Sequence, residues 1–186
     1  MKAMKEEFGS FAKNFVAGNV LDAGYNNPAV SLARFVVLLS IVMLAPVFNV
    51  QAITGTLVNA ALFLAAILIG ARGAVAIGTI PSVISFSTGL LSPVILPMVP
   101  FIILSNAILI LAFSMLRAQS YWKGMAAAAM LKFSFLYLAS YFLAKFFLSE
   151  KTVSQLAAMM SWPQLFTALS GGILAYAIMK IGRGRV

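Results

Sequence analysis

Six long apolar stretches run along the chain, separated by short breaks that contain Gly, Pro, Asn and Ser. A helix that crosses the hydrocarbon core of a bilayer needs roughly 20 mostly apolar residues, and each stretch is of about that length. The stretches are continuously apolar, whereas the strands of a membrane β-barrel alternate between apolar and polar positions. The pattern predicts an all-α membrane protein, a six-transmembrane-helix bundle, with spans at residues 29–48, 52–70, 73–91, 97–116, 122–146 and 155–180.

The basic residues are distributed unevenly between the two ends of these spans. An even number of spans places both chain termini on one side of the membrane, together with the turns after the second and fourth spans. The opposite side holds only Lys145 and Lys151, with Glu150 between them. Because lysine and arginine accumulate in short cytoplasmic loops, the N and C termini are both predicted to be cytoplasmic. The basic residues on that side are Lys2, Lys5, Lys13, Arg34, Arg72, Arg117, Lys123, Lys180, Arg183 and Arg185.

The six-span domain, residues 29–180, is flanked by an N-terminal segment, residues 1–28, and a basic cytoplasmic tail, residues 181–186. Phe8 and Phe11 recur at helical spacing in the N-terminal segment with lysines nearby, which is typical of a short amphipathic helix on the inner leaflet. A loosely ordered cytoplasmic extension is an equally good interpretation. Acidic residues interrupt the apolar positions of this segment, so no cleavable signal peptide is expected.

The composition indicates that lipid is the solvent of the chain, and it removes several kinds of chemistry. Hydrophobic residues make up 62% of the 186 positions, charged residues make up 9%, and the mean hydropathy is +1.03, far from an ordinary soluble domain. Cysteine and histidine are absent, which excludes disulfides, histidine catalysis and the usual zinc or haem ligands, and no cofactor is expected. The net charge of +9 indicates topology signals and attraction to anionic membrane lipid rather than binding of nucleic acid.

Lys132 is the one ionisable residue near the middle of a predicted span. Placing a lysine at the bilayer centre costs roughly 2.5–3.5 kcal/mol. Binding of an anionic or carbonyl group of a ligand would account for that cost. The alternative is a structural lysine that is neutral, or whose long side chain reaches a polar interface.

Other polar residues within the apolar stretches are candidates for the same site. Asn59 and Asn106 stand at similar predicted depth, and Thr56 lies one helical turn from Asn59. Gln164 and Thr167 share a face of the sixth span in the same way. For any one of these residues alone, an interhelical hydrogen bond worth under about 2 kcal/mol is a sufficient explanation. Together with the buried lysine, they would line one cavity that opens outward.

Aromatic and small residues complete the set of candidates. Tyr137 follows Phe133 by about one turn of the fifth span, so the two rings belong to one aromatic stripe. Packing between helices is the simpler interpretation of this stripe, although an aromatic ligand would suit it. Ala29 and Ala33 form a small-x-x-x-small pair on the first span, and such pairs let another helix approach closely.

The chain resembles the substrate-specific (S) components of energy-coupling factor (ECF) vitamin transporters, which have six spans in fewer than 190 residues and both termini in the cytoplasm. Three stretches carry the resemblance, which covers residues 29–180. They are the pair Ala29-x-x-x-Ala33, the run Gln51-Ala-Ile-Thr-Gly-Thr-Leu-Val-Asn59 after an outer loop that contains Pro46 and Asn49, and the run Leu96-Pro-Met-Val-Pro-Phe-Ile-Ile-Leu-Ser-Asn106.

This resemblance implies a binding subunit in the cell membrane that captures a small water-soluble vitamin or related metabolite from outside for uptake by an ECF-type ABC importer. It implies a transmembrane T subunit that meets Ala29 and Ala33, and two cytoplasmic ATPase subunits. The chain itself has no Gly-x-x-x-x-Gly-Lys-[Ser/Thr] nucleotide loop, which agrees with ATP hydrolysis by those partners. The expected substrate-binding residues are Asn49, Gln51, Thr56, Asn59, Asn106, Lys132, Tyr137 and Gln164.

Two other classes of function compete with this interpretation. A membrane enzyme is disfavoured, because the chain lacks histidine and has no acidic cluster for metal-assisted hydrolysis. A serine–lysine dyad that uses Lys132 is conceivable, but Ser134 does not face it because positions i and i+2 of a helix point in different directions, so the serine would have to come from elsewhere in the chain. The chain is expected not to be an enzyme. A structural or assembly subunit of a larger membrane complex stays open as an alternative.

Overall fold

The computed structural model describes residues 28–87, 96–147 and 159–183, and the regular elements in these ranges are all helical. Short 3-10 helices at Ala45–Phe48 and Leu96–Met98 follow the first helix and precede the fourth. The predicted N-terminal segment up to residue 27 and the tail from residue 184 lie outside the described residues. Within the described ranges the α-helices are α1 Pro28–Leu44, α2 Gln51–Leu68, α3 Ala71–Ser87, α4 Val99–Leu116, α5 Tyr121–Phe147 and α6 Trp162–Arg183.

Five of the described helical segments are long and apolar enough to cross a membrane. The helix α3 is shorter in this part of the chain, with its apolar section at Ala71–Ile84, and residues 88–91 of the third predicted span lie outside the described residues. The chain is therefore a multi-pass helical membrane protein, as the apolar pattern predicts, while the cytoplasmic location of its termini stays a prediction. The five segments are Pro28–Phe48, Gln51–Leu68, Leu96–Leu116, Tyr121–Leu143 and Trp162–Ile181.

The helix α6 differs from the sixth predicted span at both ends. The prediction starts at residue 155. Residues 155–158 lie outside the described residues, residues 159–160 are helical, the chain bends at Ser161, and α6 begins at Trp162. Pro163 explains this start, because proline lacks a backbone N–H and its fixed φ angle suits the first helical turn. At its other end α6 continues to Arg183, so residues 181–183, predicted as part of the tail, are helical.

Two residues with positive φ angles turn the chain between the first three helices. Asn49 has a φ of 52°, and its backbone N–H donates to the carbonyl of Pro46 at 3.0 Å. Gly70 has a φ of 92°, which glycine adopts without steric cost because it has no Cβ. Its N–H donates to the carbonyl of Ala65 at 3.1 Å, and this bond ends α2 close to the start of α3.

The helix α2 lies at the centre of the bundle. Each of its residues from Asn59 to Ala66 is buried, so this stretch is covered on all sides, and α1, α3, α4 and α6 pack along it. Gly171 of α6 faces it closely enough that a Cβ there would lie 2.8 Å from the backbone nitrogen of Ala60. The absence of a side chain at Gly171 therefore permits the close approach of α6 to α2.

The helix α1 is the least embedded of the candidate spans. Leu38 and Val42 are its only buried residues, and Val36 and Val37 are more than half exposed. In a membrane, an apolar helix face of this kind contacts lipid or another membrane-embedded subunit. The first helix is thus the part of the bundle most open to a neighbour.

Candidate functional site

Lys132 of α5 is buried, with 4% of its surface exposed, and two asparagines from other helices hold its amino group. Its Nζ donates to Oδ1 of Asn59 on α2 at 2.7 Å and to Oδ1 of Asn106 on α4 at 2.8 Å. Both distances are typical of hydrogen bonds in which one partner is charged. With a rise of about 1.5 Å per residue, Lys132 lies roughly 16 Å from the start of α5, near the midplane of a hydrocarbon core about 30 Å thick.

Two further helices, α3 and α6, hold the two asparagines in place. Nδ2 of Asn59 donates to Oγ1 of Thr167 on α6 at 3.4 Å, and Nδ2 of Asn106 donates to the carbonyl of Gly78 on α3 at 3.2 Å. These bonds direct both amide oxygens towards Lys132. We call Lys132, Asn59, Asn106 and Thr167 the lysine network; each of the four is at most 5% exposed, and with Gly78 the network joins α2, α3, α4, α5 and α6.

Backbone features of α3 favour its contact with Asn106. Pro81 lacks an N–H, so the carbonyl of Ile77 loses its helical donor, and the backbone around it is opened to other partners. A Cβ at Gly78, the next residue, would lie 3.3 Å from Cβ of Asn106. The Asn106 side chain therefore lies against the α3 backbone just before the proline, where an added Cβ would tighten the contact by only a few tenths of an ångström.

The electrostatic environment of Lys132 lacks a counter-ion within the described ranges, because all four acidic residues of the chain lie outside them. Amide dipoles stabilise a buried ammonium, but they do not neutralise it. An ammonium has three N–H donors, and two of them bond to asparagine oxygens. The third N–H has no acceptor among the described residues. The unused donor and the uncompensated charge both suit a carboxylate, phosphate or carbonyl oxygen.

Gln51 and Gln164, also predicted as site residues, form a separate group at one end of the bundle. Nε2 of each donates to the backbone carbonyl of Met159, at 2.9 Å from Gln51 and 3.2 Å from Gln164. These hydrogen bonds connect the first residue of α2 to the chain just before α6, and Lys132 takes no part in them. The two glutamines therefore brace the end of the α2–α6 pair.

The other predicted residues lie apart from the lysine network. Asn49 is exposed in the loop between α1 and α2, and Thr56 is half-buried on α2. Tyr137 is 51% exposed, and its ring centroid lies 6.0 Å from that of Phe133, which stacks on Trp162 at 5.5 Å. The structure thus brings Asn59, Asn106 and Lys132 into one group. Asn49 lies in the loop, Thr56 is half-buried on α2, and Tyr137 belongs to an aromatic cluster of α5 and α6.

The predicted partner contact on α1 lies on the surface of the bundle. Ala29 and Ala33 are both exposed, on the helix that is least covered by the rest of the chain. Their position is compatible with close approach of a helix from another subunit.

Two backbone acceptors organise these groups and were not predicted from the sequence, the carbonyls of Gly78 and Met159. A backbone carbonyl leaves no side-chain pattern in a sequence. For Gly78 the only available signal is Pro81 three residues later, which marks a stretch of helix with disturbed hydrogen bonding.

Comparison of the chain with protein-family models, with curated proteins and with solved structures finds no match. The function of the lysine network is therefore inferred from its own geometry.

Proposed function

We propose that the chain is the substrate-binding subunit of an ECF-type importer in the cell membrane, and that Lys132 binds an anionic or carbonyl group of a small water-soluble vitamin or related metabolite. The observation that carries this proposal is the buried amino group of Lys132, held by two amide oxygens and without a carboxylate among the described residues. A ligand carboxylate or phosphate would supply the missing negative charge. Asn59 and Asn106 would then position the ammonium rather than neutralise it.

Entry of such a ligand requires movement of the helices. Lys132 is only 4% exposed, and two cavities in the described part of the chain are lined by other residues. The amide oxygens of Asn59 and Asn106 already occupy two directions around Nζ. A ligand would therefore approach from the remaining side, where the third N–H is unused, after the surrounding helices have moved apart.

A structural or assembly subunit of another membrane complex is the second candidate. The observation in its favour is that the lysine network connects five helices through direct hydrogen bonds, so the same residues would hold the bundle together in the absence of any ligand. The two candidates differ in one measurable property. Only the binding subunit retains a small molecule that depends on Lys132.

The exposed surface of α1 supports the proposed assembly with a transmembrane T subunit and two cytoplasmic ATPases. Ala29 and Ala33 lie on this surface, and small residues allow the backbones of two helices to come close together. The chain lacks a nucleotide-binding loop, so the energy for uptake would come from the ATPase subunits.

Mass spectrometry of small molecules that remain bound during purification tests the binding proposal. We expect wild-type protein to carry a metabolite with a carboxylate, phosphate or carbonyl group, and Lys132→Met to lose it. Removing one partner from a buried charged pair costs about 2–5 kcal/mol of binding free energy, which corresponds to a loss of roughly 30-fold or more in affinity. Isothermal titration with the identified metabolite then measures the loss directly.

Lys123→Met is the matched control, because Lys123 lies on the same helix but is exposed. It should retain the metabolite at the wild-type level. If Lys132→Met also retains it while both variants stay folded, the lysine network is structural and the second candidate function holds.

A further inference from the structure

A second polar site lies at the end of the bundle where the turn between α4 and α5 meets the last turns of α6. A cavity of about 530 Å³ opens there, a volume within the usual range of small-ligand sites. Residues from five parts of the chain contribute to its walls. Those on which the proposal depends are Ile67 of α2, Ser114 of α4, Arg117 in the turn, Tyr121 of α5, and Tyr176 and Lys180 of α6.

The cavity carries two positive charges without a negative partner in the described ranges, which contain no acidic residue. Arg117 is half-buried and Lys180 is exposed. Burial lowers the pKa of the Arg117 guanidinium from its ordinary value, because removal of the charge from water destabilises the charged form. An anion in the cavity would stabilise both side chains.

A buried hydroxyl lies deeper in the same cavity. Among the described residues, Ser114 Oγ is buried and has no hydrogen-bond partner. A buried polar group without a partner costs about 1–3 kcal/mol, and such a group in a native structure calls for an explanation. Ser114 precedes Arg117 by about one helical turn, so its Cα lies about 4.5 Å further along α4 into the bundle than that of Arg117.

The walls around these polar groups are aromatic and aliphatic. The ring centroid of Tyr176 lies 5.1 Å from that of Tyr121 and 4.8 Å from that of Trp122. Tyr121 donates its hydroxyl proton to the carbonyl of Gly172 at 2.6 Å, which fixes the ring at the cavity wall. Tyrosine and tryptophan favour the boundary between headgroups and hydrocarbon, so the cavity lies at the depth where lipid phosphates are found.

We propose that this cavity binds the headgroup phosphate of an anionic phospholipid. Arg117 and Lys180 pair with the phosphate oxygens, Ser114 donates to an ester or glycerol oxygen one turn deeper, and the apolar wall at Ile67 contacts the start of an acyl chain. A free inorganic phosphate satisfies the two cations but makes no use of the apolar wall or of the deeper hydroxyl. The combination of these features therefore favours a lipid over a soluble anion.

Native mass spectrometry of the full chain in a neutral detergent tests the proposal, with dioleoylphosphatidylglycerol and dioleoylphosphatidylcholine as probes. A neutral detergent removes the surface potential of a bilayer, so that only local contacts contribute. We expect phosphatidylglycerol to bind at least tenfold more tightly than phosphatidylcholine. Arg117→Gln and Lys180→Gln should each weaken its binding about fivefold or more, because each removes a charge-assisted contact with the phosphate.

Two further variants separate the cavity from the general basic character of this end of the bundle. Lys123→Gln removes a neighbouring exposed charge that does not line the cavity, and it should change the affinity less than twofold. Ser114→Ala keeps all charges and should still weaken phosphatidylglycerol binding severalfold. If Arg117→Gln fails to fold, the affinities of Arg117→Lys and Ser114→Ala for phosphatidylglycerol are used to test the proposal instead.

Three results would overturn the proposal. Equal affinity for the two lipids would show that the charged pair does not select the headgroup. An effect of Lys123→Gln as large as that of Lys180→Gln, or an unchanged affinity in Ser114→Ala, would show that the cavity is not the site. Displacement of phosphatidylglycerol by roughly 10 mM inorganic phosphate, enough to fill a site with a Kd of about 1 mM, would identify a soluble phosphate as the ligand.

Discussion

The crossing of α6 over α2 at Gly171 can be tested with a single added methyl group. In Gly171→Ala, the new Cβ would lie 2.7 Å from Cβ of Asn59, 2.8 Å from the backbone nitrogen of Ala60 and 2.9 Å from the carbonyl oxygen of Thr56. Carbon atoms in ordinary contact are about 3.5–4.0 Å apart. Two of the three contacts are with the α2 backbone, so rotation of a side chain cannot relieve them and the two helices must separate.

Two effects of opposite sign determine the stability of this variant. Alanine in a helix interior is favoured over glycine by roughly 0.5–1 kcal/mol, whereas overpacking of a well-packed core costs about 1–3 kcal/mol. The clash involves backbone atoms, which places it in the upper part of that range. We therefore expect Gly171→Ala to lower the free energy of unfolding by about 1–2 kcal/mol.

Reversible unfolding of purified protein in mixed detergent micelles, followed by circular dichroism, measures this difference. Gly78→Ala is the matched control, because its Cβ would meet only side-chain atoms, at 3.3 Å from Asn106 and Leu62 and 3.7 Å from Ile110. It should stay within about 0.5 kcal/mol of the wild type, since small adjustments of side chains relieve such contacts. A Gly171→Ala variant as stable as wild type would show that α6 does not approach the α2 backbone at this point.

Two further predictions concern the orientation of the bundle and its partner surface. Because the chain has no cysteine, single cysteines introduced at exposed positions report the topology. Arg72→Cys and Lys123→Cys should react with an impermeant maleimide from the cytoplasmic side, and Asn49→Cys should react from outside. Labelling of all three from one side would contradict six spans. Combined Ala29→Leu and Ala33→Leu substitution should abolish co-purification with a T subunit while the small molecule bound to the isolated chain is retained; loss of both properties would instead indicate a misfolded bundle.

The grouping of Lys132, Asn59 and Asn106 was largely predictable from the sequence. Depth in a membrane can be counted along a helix at about 1.5 Å per residue, and the three residues stand at similar depth on different helices. Polar side chains in hydrocarbon have no water to bond to, so those at the same depth tend to bond to one another. This contact is therefore expected from depth alone, without knowledge of how each helix is rotated about its own axis.

The positions of Gln51, Gln164 and Tyr137 were not predictable in the same way. The two glutamines stand near the ends of their helices, where a backbone carbonyl such as that of Met159 is an equally good acceptor. Tyr137 lies on a helix that is apolar around most of its circumference, so the sequence contains no polar face from which the rotation of α5 could be inferred. Its 51% exposure follows from how the helices pack.

The cavity at Arg117 and Lys180 was also hidden in the sequence, although both residues were recognised as basic markers of one membrane side. Topology rules use only the number of basic residues at each end of the spans. Whether two of them face the same cavity depends on the distance between the α4–α5 turn and the end of α6. That distance is fixed by the contact of α2 with α4 and α6, which is a property of the folded bundle.

The excess of positive charge underlies both proposed sites, but it costs more free energy at Lys132 than at Arg117 and Lys180. Thirteen basic residues face only four acidic ones, so at least nine positive charges require water, lipid or another molecule as their partner. Near the bilayer surface this requirement is easily met, because water and lipid phosphates are available to Arg117 and Lys180. At the midplane neither is available, and a lysine there costs roughly 2.5–3.5 kcal/mol. Replacement of a buried ion pair by apolar residues of similar size is often neutral or stabilising, which is why we propose an anionic ligand, rather than stability alone, as the reason for Lys132.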